Sequence, residues 1–265
     1  MIINSKIKPE DVFGKTTQNI YCILDDCLIF QGRHGRSEMH AHHYVQYGLS
    51  KSDSFKLSSK EWFNSKHVNS FIVPGDIPHQ VELDGSEKVL MVWLDPEFSI
   101  KRSMPDSQVI KTSLGDLESN LKPFTEQTLN CDTAHQIREL ITGWPAADSM
   151  DKLDDRITES INWIKEHLSD QTITVEQLAE TVYISPSRLM HLFSEQIGIP
   201  IRKYILWQRL RHALLKLANG ESITEAAYSA GFTDSPHMNR AFKSNYGITP
   251  SKIFKNSRFI QVIGC

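Results

Sequence analysis

Two stretches of this chain follow one pattern, and a repeated pattern restricts the fold more tightly than any bulk property. The first is TVEQLAETVYISPSRLMHLFSEQIGIP, beginning at Thr174, and the second is SITEAAYSAGFTDSPHMNRAFKSNYGITP, beginning at Ser222. Laying Ala179 on Ala227 and Phe193 on Phe242 also brings Leu178 to Ala226, Leu189 to Met238 and Gly198 to Gly247, with a single residue gained at the turn. In the first copy Val175, Leu178, Ala179 and Val182 fall at helical spacing, and Leu189, Leu192 and Phe193 repeat it after a turn. Ser185 suits the N-cap of the second helix with Pro186 at its first position, and Asp234 suits the same place in the second copy. Gly231 suits a turn that needs positive φ. Each copy predicts a helix-turn-helix, whose second helix can enter a DNA major groove.

One pair of amphipathic helices occurs in many all-α proteins that never meet DNA, so the connector between the copies matters. From Ile201 to Leu217, Ile201, Ile205, Leu210, Ala213, Leu214 and Leu217 share a face, with Arg202, Arg209, Arg211 and Lys216 mostly off it. Such a helix spans roughly 25 Å. That is a rod able to hold two reading heads about one DNA turn, or 34 Å, apart.

At these residues the chain resembles the DNA-binding domain of the AraC/XylS family of bacterial transcription regulators. The matching features are the DDRI opening, SPSRLMHLF, GIPIRKYI, RLRHALLKL, GESITEAAYSAGF and RAFKSNYGITPSK, covering about Asp155 to Phe254. It departs at Met238 and at Ile253 and Phe254, which are packing positions. The resemblance implies an all-α domain at 152–260 with recognition helices at 186–196 and 235–245. It also implies outward DNA-facing positions at Ser187, Met190, His191, Ser235, Pro236, Asn239 and Arg240. The helical wheel adds Arg188, Ser194, His237 and Lys243 to the DNA-binding set. Asn239 suits adenine, Arg240 guanine or phosphate, and Met190 a thymine methyl.

Charge agrees with such a division. The 265-residue chain has a net charge of -3, yet from Ser185 onward basic side chains outnumber acidic ones by eleven to four. An acidic sensor joined to a basic reader shows this asymmetry. The four cysteines, Cys22, Cys27, Cys131 and Cys265, form no CxxC pair and no zinc spacing, so a reducing compartment is the simplest reading. No apolar run is long enough for a bilayer, and MIINSKIKPED lacks a signal-peptide core, so a soluble, cytoplasmic protein is expected.

From about Thr17 to Leu94 short β-branched and aromatic runs alternate with Gly, Asp, Ser and Pro, the texture of an antiparallel sandwich or barrel. His40 and His42 are two apart, hence on one face of an extended segment, and PGDIPH places His79 after a Pro-Gly turn. That arrangement resembles a cupin barrel, in which an HxH pair, a carboxylate and a later His converge on a metal. Here the carboxylate position is Gln46, a poorer ligand for a divalent cation. The resemblance implies an effector pocket at His40, His42, Gln46 and His79, and three imidazoles, His40, His42 and His79, able to hold a divalent transition metal. The bland reading is a polar pocket without metal. Trp62, Phe63 and Trp93 are read as core, and His34, His43 and His67 as surface.

From Gln108 to about Trp144 the spacing turns helical, with Leu114, Leu117, Leu121, Ile137, Leu140 and Ile141 offering either a dimer surface, slightly favoured, or a face for the chain's own barrel. GWPAADSMDK reads as the boundary between domains 1–146 and 152–260. The expected fold class is α+β. An antiparallel, cupin-like β-barrel with appended helices precedes the double helix-turn-helix. The expected function is a non-enzymatic, ligand-responsive regulator whose partners are operator DNA, a small-molecule or metal effector, RNA polymerase and a second copy of itself. The competing classes are a metal sensor built on His40, His42 and His79, and a metal-dependent cupin enzyme fused to a DNA module, against which Gln46 counts.

Overall fold

Period two governs the first half of the molecule. A computed structural model describes residues 19–33, 35–61, 63–83, 85, 87–95, 110–143, 153–255 and 260–265. Eight strands come first: β1 (Asn19–Ile23), β2 (Cys27–Gly32), β3 (Val45–Leu49), β4 (Phe55–Ser59), β5 (Phe63–Val68), β6 (Ser70–Val73), β7 (Gln80–Leu83) and β8 (Val89–Leu94). A ninth, β9 (Ile260–Gly264), comes from the far end of the chain. They make two sheets, one of order β6-β3-β8-β2-β1-β9 and one of order β5-β4-β7. The architecture is thus a pair of sheets where a closed antiparallel barrel was expected, and β9 lies parallel to β1.

The alternation is hard to read in the sequence because the six-stranded sheet is buried on both faces. Tyr21, Leu28, Phe30, Met91 and Trp93 point to one side. Their neighbours Ile20, Cys22, Ile29, Tyr47, Leu90 and Val92 point to the other. A sheet covered on both faces has no reason to place polar residues at alternate positions. The second face is covered by α1 (Asp116–Leu121), a 3-10 turn (Lys122–Thr125) and α2 (Cys131–Thr142). Leu114, Leu121, Phe124 and Ile137 pack there, with Leu117 and Ile141 alongside. The apolar stripe favoured as a dimer surface is therefore used on the chain's own sheet, which leaves Leu140 as the exposed member. Of the proposed boundary GWPAADSMDK all but Gly143, and Trp62 as well, lie outside the described residues.

The second half is helical: α3 (Asp155–Glu166), α4 (Val175–Thr181), α5 (Pro186–Ile197), α6 (Ile201–Ala218), α7 (Ile223–Ser229), α8 (Ser235–Tyr246) and α9 (Pro250–Lys255). The caps lie where the sequence puts them. Ser185 and Asp234 accept from the backbone N–H groups of Arg188 and His237. Thr174 and Ser222 close capping boxes with Gln177 and Glu225. Gly231 has φ 74°, and a Cβ there would strike the Leu168 carbonyl. Among the described residues no helix is long and apolar enough to cross a membrane.

The two helix-turn-helix copies belong to different cores. The first, α4 with α5, packs with α3 and the start of α6 around Ile157, Leu178, Leu189, Phe193 and Tyr204. The second, α7 with α8, shares one core with the β sheets, in which Phe232, Met238, Phe242 and Tyr246 lie with Trp207 and Leu214 against Tyr44 and Trp93. The chain then returns: β9 completes the large sheet, and Cys265 forms a disulfide with Cys131 at the start of α2, Cα–Cα 5.4 Å, over a separation of 134 residues. The pairing corrects the expectation of reduced thiols, which rested on spacing alone: β9 brings the two cysteines together from opposite ends of a long loop, while Cys22 and Cys27 stay free and buried. Loop-closure entropy for so long a loop is worth about 5 kcal/mol. Reduction, or Cys265→Ser, is expected to lower the thermal midpoint of the oxidised protein, while Cys22→Ser leaves the response to reductant unchanged; a midpoint indifferent to reductant argues against the bond.

Candidate functional site

Along α5 the apolar residues Leu189, Leu192, Phe193 and Ile197 are buried, which turns Ser187, Arg188, Met190, His191 and Ser194 outward; all five are exposed. Met190, at 47% exposure, is an apolar side chain held in solvent on a helix whose other face is full. Along α8, Met238, Ala241, Phe242, Asn245 and Tyr246 face inward. Pro236, Arg240 and Lys243 are exposed, whereas Ser235, His237 and Asn239 are half-buried. That corrects the expectation of a fully outward set. His237 lies edge-on to Phe232 and bonds Thr233 Oγ1 at 3.2 Å, and the Asn239 Oδ1 is buried with no partner among the described residues. Lys243 does not stand free, since its ammonium is 2.8 Å from the carboxylate of Glu38 in the β domain.

The four residues expected around an effector do converge. His40 and His79 are bridge partners, each N–H bonded to the other's carbonyl at 3.0 and 2.9 Å. His42, Gln46 and His79 are buried, and His40 is 8% exposed. Each imidazole has its Nδ1 against a backbone carbonyl: His40 on Glu38 at 2.9 Å, His42 on Tyr44 at 2.9 Å and His79 on Ile77 at 2.8 Å. With those protons committed, each Nε2 is a lone pair. The side-chain amide of Gln46 sits between two of them, 3.0 Å from both His42 and His79. With its nitrogen turned to them the amide donates to both rings, and with its oxygen turned to them the pocket becomes a ring of acceptors suited to a cation. The ligand atoms of the three histidines lie within 4.8 Å of one another. Burial, then the neighbouring histidines, holds His42 well below its usual pKa, and burial with His40 pushes His79 down to about 3. Neutral imidazoles are the form that binds a metal, so the donor set fits Zn²⁺, Ni²⁺ or Fe²⁺.

This cluster touches the second reading head. His42 stacks on Tyr44, 3.9 Å between centroids, and the Tyr44 hydroxyl donates to the Asn245 carbonyl of α8 at 2.7 Å. The Glu38 N–H donates to the Gly247 carbonyl at 2.7 Å. Gly247 ends α8 with φ 65°, and a Cβ there would run into Glu38, His40 and Ser37. The helix terminus thus rests on the strand segment that carries His40.

The connector helix is fastened to the same domain. Asp95, fully buried, accepts from Trp207 Nε1 at 2.8 Å and from Arg211 Nη1 at 2.7 Å. Arg211 also donates to the carbonyls of Leu24 and Asp25. Burial pushes the Asp95 carboxyl up, against the pull of Arg211 and of the Trp207 N–H. Arg211, expected off the apolar face of the rod, is 6% exposed and paired with Asp95. Asp95, Trp207 and Glu38 went unremarked, because partners more than a hundred residues apart leave no local pattern. His43, expected at the surface, is half-buried against Asp76. His67 is exposed, and His34 lies outside the described residues.

Comparison with known proteins gives this geometry a context. Residues 178–256 match a family described as a helix-turn-helix domain. The arabinose operon regulatory protein of Escherichia coli (strain K12) is 35% identical over 101 residues, 38% of this chain and 35% of the relative. The HTH-type transcriptional activator RhaR of Enterobacter sp. (strain 638) is 22% identical over 274 residues, 94% of this chain and 90% of the relative. The match thus spans about a third of the length of the first of these and nearly all of the second. Among solved structures, ToxT from Vibrio cholerae O395 superposes with a TM-score of 0.52 at 14% identity, covering 90% of this chain and 96% of that one. At that identity the likeness concerns the fold alone, a mostly β domain followed by a helical one.

Asp95→Ala leaves the Arg211 guanidinium buried without its partner and is expected to cost about 3–5 kcal/mol. The double variant Asp95→Leu with Arg211→Met is expected to recover most of it, read by urea denaturation. Equal losses in the single and double variants would assign the seam to packing alone.

Proposed function

We infer, from the chain's membership of the AraC family of helix-turn-helix transcription regulators, that it binds a specific operator in double-stranded DNA and that an effector held by the β domain adjusts that binding. Residues 1–146 serve as sensor and 152–260 as reader, with recognition helices at 186–196 and 235–245. The observation that carries this reading is the outward row Ser187, Arg188, Met190, His191 and Ser194 on a helix whose apolar face is filled. Short polar and cationic side chains on a capped helix are what a major groove accepts. On the second helix Arg240 is the exposed base-reading candidate, with Lys243 for phosphate.

In the arrangement described here the sensor and a DNA phosphate compete for Lys243, because Glu38 already holds it. An effector changes operator affinity only if it binds the docked and released arrangements unequally. The site at His40, His42, Gln46 and His79, one hydrogen bond or ring contact from α8, is where such a difference arises. The reading places the protein in the cytoplasm, without catalysis, with RNA polymerase as a partner and a second copy as another. A specific observation also supports metal as the effector, namely three imidazoles held by backbone carbonyls with their Nε2 atoms unprotonated. One bound Zn²⁺ per chain, lost in His79→Ala, is the expected result by equilibrium dialysis, and no retention by the parent protein removes that version.

Arg240→Ala is expected to weaken operator binding by about 1–3 kcal/mol at fixed salt if the contact is bidentate to a base. Arg188→Gln is expected to lower the salt slope by about one unit. Glu38→Gln frees Lys243 and is expected to tighten binding and steepen that slope by up to about one unit. Quantitative shift assays over a salt series read all three, and an unchanged affinity in both the Arg188 and Arg240 variants would falsify the assignment of these helices.

A further inference from the structure

The two reading heads keep separate cores, yet they meet at one point beside the rod. Arg209 of α6 lies off the rod's apolar face and is half-buried. Its Nη2 donates to the carbonyl of Asp170 at 2.5 Å and to that of Gln171 at 3.4 Å. Both carbonyls belong to the loop between α3 and α4, which leads into the first head. They lie just past the C-terminus of α3, where the free carbonyls and the helix dipole favour a cation.

The second head reaches the same loop from the other side. Gly231 stands in the turn between α7 and α8, and a Cβ there would strike the Leu168 carbonyl and come within 2.9 Å of Arg209 Nε and 3.0 Å of the Asp170 carbonyl. Glycine is thus required twice at this position, by its φ of 74° and by the closeness of the approach. The contact is anchored on both sides. The Leu168 side chain is buried in the core of the first head, and Phe232, next to Gly231, is buried in the core that holds the second. To shift one head against the other, a core must give way or the Arg209 bonds must break. The rod alone gives less control, because long helices curve and any bend in α6 swings the head at its end.

We propose that Arg209 is a positioning residue: with Gly231 it clamps the two heads to each other and so sets the number of base pairs accepted between their half-sites. The inference rests on the reading of the chain as an operator-binding regulator and names what fixes the geometry of that operator. One base pair added between half-sites displaces the second by about 3.4 Å along the duplex and about 35° around it. Clamped heads follow neither change, whereas heads joined by α6 alone bend toward the new position.

The test uses the full-length protein, which first selects duplexes from a randomised pool, with footprinting to locate the two protected half-sites. Quantitative shift assays at fixed salt then compare the selected duplex with versions carrying one base pair more or one fewer between them. The parent is expected to lose about tenfold or more in affinity on either change. In Arg209→Met, which keeps the aliphatic stem and removes the donors, that loss is expected to shrink to about threefold or less. Thermal melting checks that the variant folds, and Arg209→Gln serves in its place if it does not. A parent indifferent to spacing overturns the proposal. So does a variant weakened by the same factor at every spacing, which would make Arg209 a phosphate contact or a packing residue. Enrichment of no sequence by the parent rejects the regulator reading and the clamp with it, whereas an enriched duplex whose spacing discrimination survives in the variant rejects the clamp alone.

Discussion

A buried carboxylate holds this molecule's two halves to one another. Asp95, at the end of β8, has no access to water and is matched by the Trp207 indole and the Arg211 guanidinium, both from the connector helix α6. Removing two charges from water is expensive, and the loss is offset only when hydrogen bonds are made on every side. Arg211 meets much of that requirement through the carbonyls of Leu24 and Asp25, reached by its two terminal nitrogens. Once α6 is fixed in this register, Trp207, Leu210 and Leu214 lie against the sheet, and the second helix-turn-helix follows them into the same core.

The consequence is an unequal pair of reading heads. The first owns its hydrophobic core, and its recognition helix keeps all of its outward residues in solvent. The second has lent its core to the sensor, its Lys243 to Glu38 and its C-terminal glycine to the bridge segment carrying His40. An event at His40, Gln46 or Trp93 is therefore an event beside α8. Coupling of sensor to reader needs no long path here, because the two share packed side chains. The C-terminal strand adds to this union, since β9 pairs with β1 and Cys265 reaches Cys131.

Much of this was legible before any coordinates. Caps at Ser185 and Asp234, the positive φ of Gly231 and the buried set Leu189, Leu192 and Phe193 follow from local rules whose partners lie within a few residues. The convergence of His40, His42 and His79 on Gln46 was also legible, from a spacing and a turn. The β half was harder to read because its large sheet is apolar on both faces, which hides the alternation. The stripe from Leu114 to Ile141 was ambiguous in principle, as an apolar helix face reads the same whether it covers its own sheet or a second chain. His237 departs from the helical wheel because the neighbouring turn, Phe232 and Thr233, closes over it.

By itself the sequence determined the duplicated helix pairs, their caps, the rod between them and the histidine cluster, since each depends on side chains near one another along the chain. Only the tertiary structure decided that the rod's Arg211 is buried on Asp95, that Lys243 is held by Glu38, and that Cys131 faces Cys265. These partners lie some 110 to 210 residues apart, and what joins them is the desolvation of charges and apolar faces that find cover only when the two halves close together.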